Sequence, residues 1–128
     1  MSSTHRRPVI LVGILALVVL LGAAVQTSKF PGGTFKANNG SNDIALTFDS
    51  TGALKVFVDN QSFSQGTWQV KADTLTFGTV TGPEGYSCNS AASYLWKFAD
   101  TRLSFTLVGM DDCSTRRDPI LGLTWTRG

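Results

Sequence analysis

Histidine is missing from the whole chain beyond position 5. Without an imidazole no side chain of ordinary pKa changes charge near neutral pH, so Ser–His–Asp and Cys–His catalysis are excluded. Cysteine is limited to Cys88 and Cys113, with no C-x-x-C spacing, which leaves too few donors for a metal site. Charge is scarce as well, at 16% of residues. Arg6 and Arg7 account for the net charge of +2, because nine basic and nine acidic residues balance from Lys29 onward. A nucleic-acid partner therefore has no electrostatic footprint here. Paired-carboxylate hydrolysis needs two acids in a cleft. Asp111-Asp112 are adjacent, face opposite ways if on a strand, and read as a turn pair if on a loop. No catalytic constellation and no cofactor site emerge, so the chain is not expected to be an enzyme.

Helical periodicity is the last absence: it appears only before residue 26. Met1 to Arg7 is polar and ends in His5-Arg6-Arg7, and Val9 to Leu21 is almost purely apolar, extended by Gly22-Ala-Ala-Val25. Basic residues ahead of an apolar run predict membrane insertion with the N-terminus in the cytoplasm. Residues 1–25 are then either a cleaved signal peptide, with Gly22-Ala23-Ala24 at the cleavage site, or a retained single-pass anchor through residues 9–25. Either outcome puts the following domain outside the cytoplasm, on the cell membrane or secreted. Residues 26–33 read as a linker.

What the remaining residues 34–128 contain is alternation. Ile44, Leu46 and Phe48 share one side, Asp49-Ser-Thr-Gly52 turns the chain, and Leu54, Val56 and Val58 repeat the pattern. A run ending in Trp68 and Val70 follows Asp59-Asn60, and Leu75 and Phe77 follow Lys71-Ala-Asp73. Tyr94, Trp96 and Phe98, then Leu103, Phe105 and Leu107, then Leu121, Leu123 and Trp125 complete the series, with Phe35 and Ala37 at its start. Period-two alternation cut by Gly, Asp and Asn predicts antiparallel strands with one buried face. Eight short strands and no helix after Val25 predict an all-β, eight-stranded antiparallel up-and-down barrel, because tight connections pair sequence neighbours and closure removes exposed edges. Such a barrel is either filled by side chains or holds one small ligand. Nine large rings (Phe35, Phe48, Trp68, Phe77, Tyr94, Trp96, Phe98, Phe105 and Trp125) point inward, so both outcomes stay open.

Thr81 to Ser90 and Gly109 to Pro119 read as irregular pieces and carry the two cysteines. The connections leave the same end of a meander, and an extracytoplasmic compartment preserves disulfides, so a Cys88–Cys113 bridge is expected. Trp125 and Arg127, two apart on one strand, face the same side, which predicts an Arg127 guanidinium stacked over the Trp125 ring at the barrel's end. Asn39-Gly-Ser41 and Asn60-Gln-Ser62 match the glycosylation acceptor pattern, which matters only in a glycosylating host.

Taken together the motifs resemble those of small bacterial lipocalin-like proteins. The resemblance runs from Gly33-Thr-Phe35 through Thr47-Phe-Asp-Ser-Thr-Gly52, Gly66-Thr-Trp68, Asp73-Thr-Leu-Thr-Phe77 and Tyr94-Leu-Trp-Lys-Phe98 to Asp112-Cys113-Ser-Thr-Arg116 and Trp125-Thr-Arg127. It departs from true lipocalins at the first strand, where Gly33-Thr-Phe35 stands in place of Gly-x-Trp. It implies a calycin-type barrel and no particular ligand. The expected function is binding of a small apolar ligand by Trp68, Tyr94, Trp96 and Phe105 inside, with Arg116 or Arg127 at the rim. The alternative is a filled barrel that acts through its loops as an interaction or inhibitor module.

Overall fold

A computed structural model describes residues 29–128, and the expectations for residues 1–25 and for the start of the linker, residues 26–28, lie outside them. Among the described residues no helix is long and apolar enough to cross a membrane. Eight strands form one closed antiparallel barrel in sequence order. They are β1 (Gly33–Asn38), β2 (Asp43–Phe48), β3 (Ala53–Val58), β4 (Gln61–Lys71), β5 (Thr74–Thr81), β6 (Ala92–Ala99), β7 (Arg102–Val108) and β8 (Trp125–Arg127). Closure comes from β8, which pairs Phe35 with Arg127 on one side and Leu103 with Trp125 on the other.

Turn chemistry sets the register. Asp59 and Asn60 both take left-handed φ values, 51° and 66°, as do Asp100 and Thr101 at 53° and 64°. Two such residues in succession make the tight hairpin turn whose twist matches the flanking strands. Asp49 instead folds its carboxylate back onto Thr51, accepting from the backbone N–H at 2.8 Å and from Oγ1 at 2.9 Å. Those hydrogen bonds hold its pKa below the ordinary carboxylate value.

The even connections β2–β3, β4–β5 and β6–β7 gather at one end of the barrel, together with the entering chain. Aromatic rings close this end. Phe30, within the stretch read as linker, packs its ring 5.0 Å from Phe48, 5.4 Å from Trp68 and 5.3 Å from Trp96, centroid to centroid. The two indoles are fixed by donating Nε1–H to the carbonyls of Asp49 at 3.0 Å and Ala72 at 3.1 Å. The edge-to-face pairs among these, Phe30 with Phe48 and Phe30 with Trp96, each add about 0.5–1.5 kcal/mol beyond area burial.

Two expectations are corrected here. The stretch Gly109–Pro119 is not irregular throughout, and Leu121 does not begin the last strand: residues Ser114–Gly122 form a helix, α1, and β8 is confined to Trp125–Arg127. Arg116 and Ile120, four residues apart, share the buried face of α1, while Leu121 is exposed. Arg127 does not stack on Trp125. Its guanidinium lies 4.8 Å over Phe35 and 5.4 Å over Phe98, and Nη1 donates to the Gly32 carbonyl at 2.7 Å. The register explains this, because Phe35 is the residue directly across the strand pair from Arg127.

Candidate functional site

The opposite end carries the long connections and is built differently. Cys88 pairs by both backbone groups with Val80 (2.9 and 2.8 Å), so the β5–β6 connection folds back along β5. Cys88 is bridged to Cys113, with Cα atoms 5.7 Å apart, as the sequence predicts. Cys113 is the residue that enters α1, so the disulfide fastens the start of this helix to β5. α1 then crosses the end of the barrel as a partial cover, with Ile120 buried beneath it.

A second attachment is buried beside the first. Asp111 is 2% exposed and Arg116 7%. Arg116 donates from Nε to Asp111 Oδ2 at 2.9 Å and from Nη2 to Oδ1 at 2.7 Å. Its Nη1 donates to the Gly78 carbonyl at 3.0 Å. The Asp111 carboxylate also accepts the Tyr94 hydroxyl proton in a short hydrogen bond and the Cys113 N–H at 2.9 Å. Gly78 belongs to a bulge between β4 and β5, where the pairing slips between Gly66 and Trp68. A Cβ at Gly78 would collide with Thr67 Oγ1, so a larger residue there must displace the Thr67 side chain, and the bulge leaves the Gly78 carbonyl to accept from Arg116.

This network sets the local electrostatics. Burial pushes the Asp111 carboxyl up, but the hydrogen bonds from Arg116, Tyr94 and Cys113 outweigh it and hold the pKa below 3.8. The Tyr94 hydroxyl is pushed above its ordinary value of 10.0, first by burial and then by its bond to the Asp111 carboxylate. At neutral pH the group is one anion, one cation and one neutral phenol, all paired.

Between α1 and the aromatic end lies a cavity of about 560 Å³. Aliphatic side chains line one side of it: Ile44 and Leu46 from β2, Leu54, Val56 and Val58 from β3, and Val80 from β5. Phe77 and Trp125 line it from the barrel interior, Phe63 from β4 with its ring 5.0 Å from that of Tyr86, and Ile120 and Leu123 from the connection that carries α1. Asn39, Asn42, Ser64, Tyr86, Ser114 and Thr115 bring polar groups from the loops and strand ends around it. Trp125 is 1% exposed and its Nε1–H has no acceptor among the described residues.

Of the six side chains expected to contact a ligand, Arg116 lines this cavity and the other five do not. Trp68 and Trp96 belong to the closed end with Phe30, and Arg127 caps Phe35 and Phe98. Tyr94 is buried behind the cavity wall on Asp111, and Phe105 packs 6.1 Å from both Phe77 and Tyr94. The β2 and β3 aliphatic positions, Leu123 and Trp125 were legible as inward residues from their alternation, whereas Val80, beyond the bulge, and Ile120, on the helix, were not. Nothing in the sequence distinguishes those that line a space from those that fill one. Compared with known proteins, the chain matches no family model, no curated protein and no solved structure.

Proposed function

We propose that this protein is an extracytoplasmic, lipocalin-like barrel that binds a small apolar molecule in the cavity beneath α1, without catalysing its conversion. The observation that carries this reading is the segregation of the interior. Phe30, Phe48, Trp68 and Trp96 crowd one end, and a volume of about 560 Å³ at the other is lined by aliphatic side chains together with Phe63, Phe77, Tyr86 and Trp125. That volume falls within the range of about 300–1,000 Å³ usual for ligand sites, and an apolar wall with polar groups at its edge is their common composition. The disulfide, with Arg6-Arg7 ahead of an apolar run, supports an oxidising compartment, reached by secretion or by anchoring at residues 9–25.

Native mass spectrometry of the protein from its own host tests the proposal. A bound species that disappears from a Val56→Trp variant is the expected result, because Val56 projects into the cavity wall. A parent protein that carries no adduct and takes up no apolar probe would refute it. The loop-module alternative draws support from Met110 and Tyr86, 76% and 48% exposed in the connections at this end. A protein partner retained equally by the parent and by Val56→Trp would favour that alternative.

A further inference from the structure

Charge is balanced over the folded chain but unevenly placed. Of the nine basic residues from Lys29 onward, six stand at or beside the closed, aromatic end of the barrel: Lys29, Lys55, Lys71, Lys97, Arg102 and Arg127. All six are exposed. Three acids share that end, Asp49, Asp73 and Asp100, which leaves it a net charge of +3. The other six acids, from Asp43 to Asp118, stand at the end covered by α1 together with Arg116 and Arg117, and Lys36 lies between the ends. Both ion pairs among the described residues, Arg116 with Asp111 and Arg117 with Asp118, belong to the α1 end. The six cations of the closed end are left to meet an external anion.

The chain also enters the barrel at the closed end, where Phe30 is packed against Phe48, Trp68 and Trp96. Only Gln26, Thr27 and Ser28 separate the apolar run of residues 9–25 from Lys29. Four residue steps span at most about 14 Å when fully extended. A bilayer that holds the apolar run therefore lies close to the basic end, at a distance comparable with the screening length of about 8–10 Å at physiological salt.

We infer that the closed end of the barrel docks on an anionic lipid surface, the face of the membrane that holds residues 9–25, and that α1 and the cavity mouth point away from the bilayer. The inference rests on the anchored outcome for residues 9–25 and not on the cavity being a ligand site. Each positive charge beside such a surface is worth about five-fold in population, so a net three favour the docked orientation on the order of a hundred-fold.

Energy transfer from tryptophan to a dansyl-labelled lipid headgroup reads the docking, because Trp68 and Trp96, two of the three tryptophans, stand at the closed end. The full chain is placed in vesicles of phosphatidylcholine alone and of phosphatidylcholine mixed with phosphatidylglycerol, and flotation reports its insertion. Transfer should be greater in the anionic vesicles at about 0.01 M salt, where the screening length is about 30 Å, and the excess should vanish at about 1 M, where it is about 3 Å. A Lys71→Glu, Lys97→Glu variant changes two exposed positions, takes the closed end from +3 to −1 and should lose the excess. A Glu84→Lys variant alters the opposite end and should behave as the parent. A full chain that does not float with vesicles overturns the anchoring and this inference with it. A chain that floats and shows equal transfer in the two vesicles at low salt overturns the docking alone. A change in Glu84→Lys as large as that in the double variant overturns the assignment to the closed end, because overall charge then governs.

Discussion

Replacing Arg116 by Met removes a largely buried cation from its pairing with a fully buried carboxylate. The apolar stem keeps its length, so packing under α1 changes little. What changes is that Asp111, with its side chain fully buried, loses both bonds from the guanidinium, and the Gly78 carbonyl loses its donor. Breaking a buried pair on one side costs about 3–5 kcal/mol. The Tyr94 hydroxyl and the Cys113 N–H still serve Asp111, so the expected loss is about 3 kcal/mol, at the lower edge of that range. For a domain of this size that is a large share of a total stability of about 5–15 kcal/mol. The companion Asp111→Leu, Arg116→Met double variant removes both charges and should recover at least about half of the loss, giving a coupling energy above about 1 kcal/mol.

The same perturbation has a pH signature of fixed sign. In the parent the folded pKa of Asp111 is lowered, so its contribution is complete above 3.8 and is lost as pH falls through the folded value. In Arg116→Met the largest opposing influence, burial, loses its main counterweight, and the folded pKa rises. The deficit relative to the parent should then shrink as the pH is lowered and Asp111 takes up a proton. Urea denaturation of the disulfide-bonded proteins at neutral and acid pH measures both effects. A single-variant loss below about 1 kcal/mol, with no coupling in the cycle, would refute the view that this ion pair holds α1 to the barrel.

Trp68→Ala should cost about 3 kcal/mol in urea denaturation, since the ring packs on Phe30 and Phe48 and donates to the Asp49 carbonyl, yet it should leave ligand affinity unchanged because Trp68 stands outside the cavity. Reducing the Cys88–Cys113 bridge, which closes a separation of 25 residues, should lower stability by about 3.5 kcal/mol on the chain-entropy account, measured by denaturation with and without reductant. Spectrophotometric titration should find Tyr94 still protonated where an ordinary tyrosine ionises. Its stabilising contribution is complete below 10.0 and is lost as pH rises through the raised folded value, so its ionisation should coincide with unfolding; a Tyr94 that titrates normally in the folded protein counts against the buried network.

The amino-acid sequence by itself determined the strands, apart from the start of the last, together with their order and the pairing of the cysteines. These are local matters or matters of elimination. Alternation such as Leu54, Val56 and Val58 commits a segment to one buried face, and Asp59-Asn60 commits the chain to a tight hairpin. Two cysteines on connections at one end of a meander leave one pairing to make. Tertiary structure decided what no local pattern carries. The helix Ser114–Gly122 is polar, contains Pro119 and buries only Arg116 and Ile120, so it has neither an apolar stripe nor good propensity, and it is held by the disulfide and by Asp111 rather than by its own composition. Asp111 reads as a turn residue until the fold brings Tyr94 and Arg116, from different elements, against it. Alternation states which side chains point inward, but the height at which each one lands depends on strand tilt, register and the bulge at Gly78. That placement crowds Phe30, Phe48, Trp68 and Trp96 at one end and leaves space among Ile44, Val56 and Ile120 at the other.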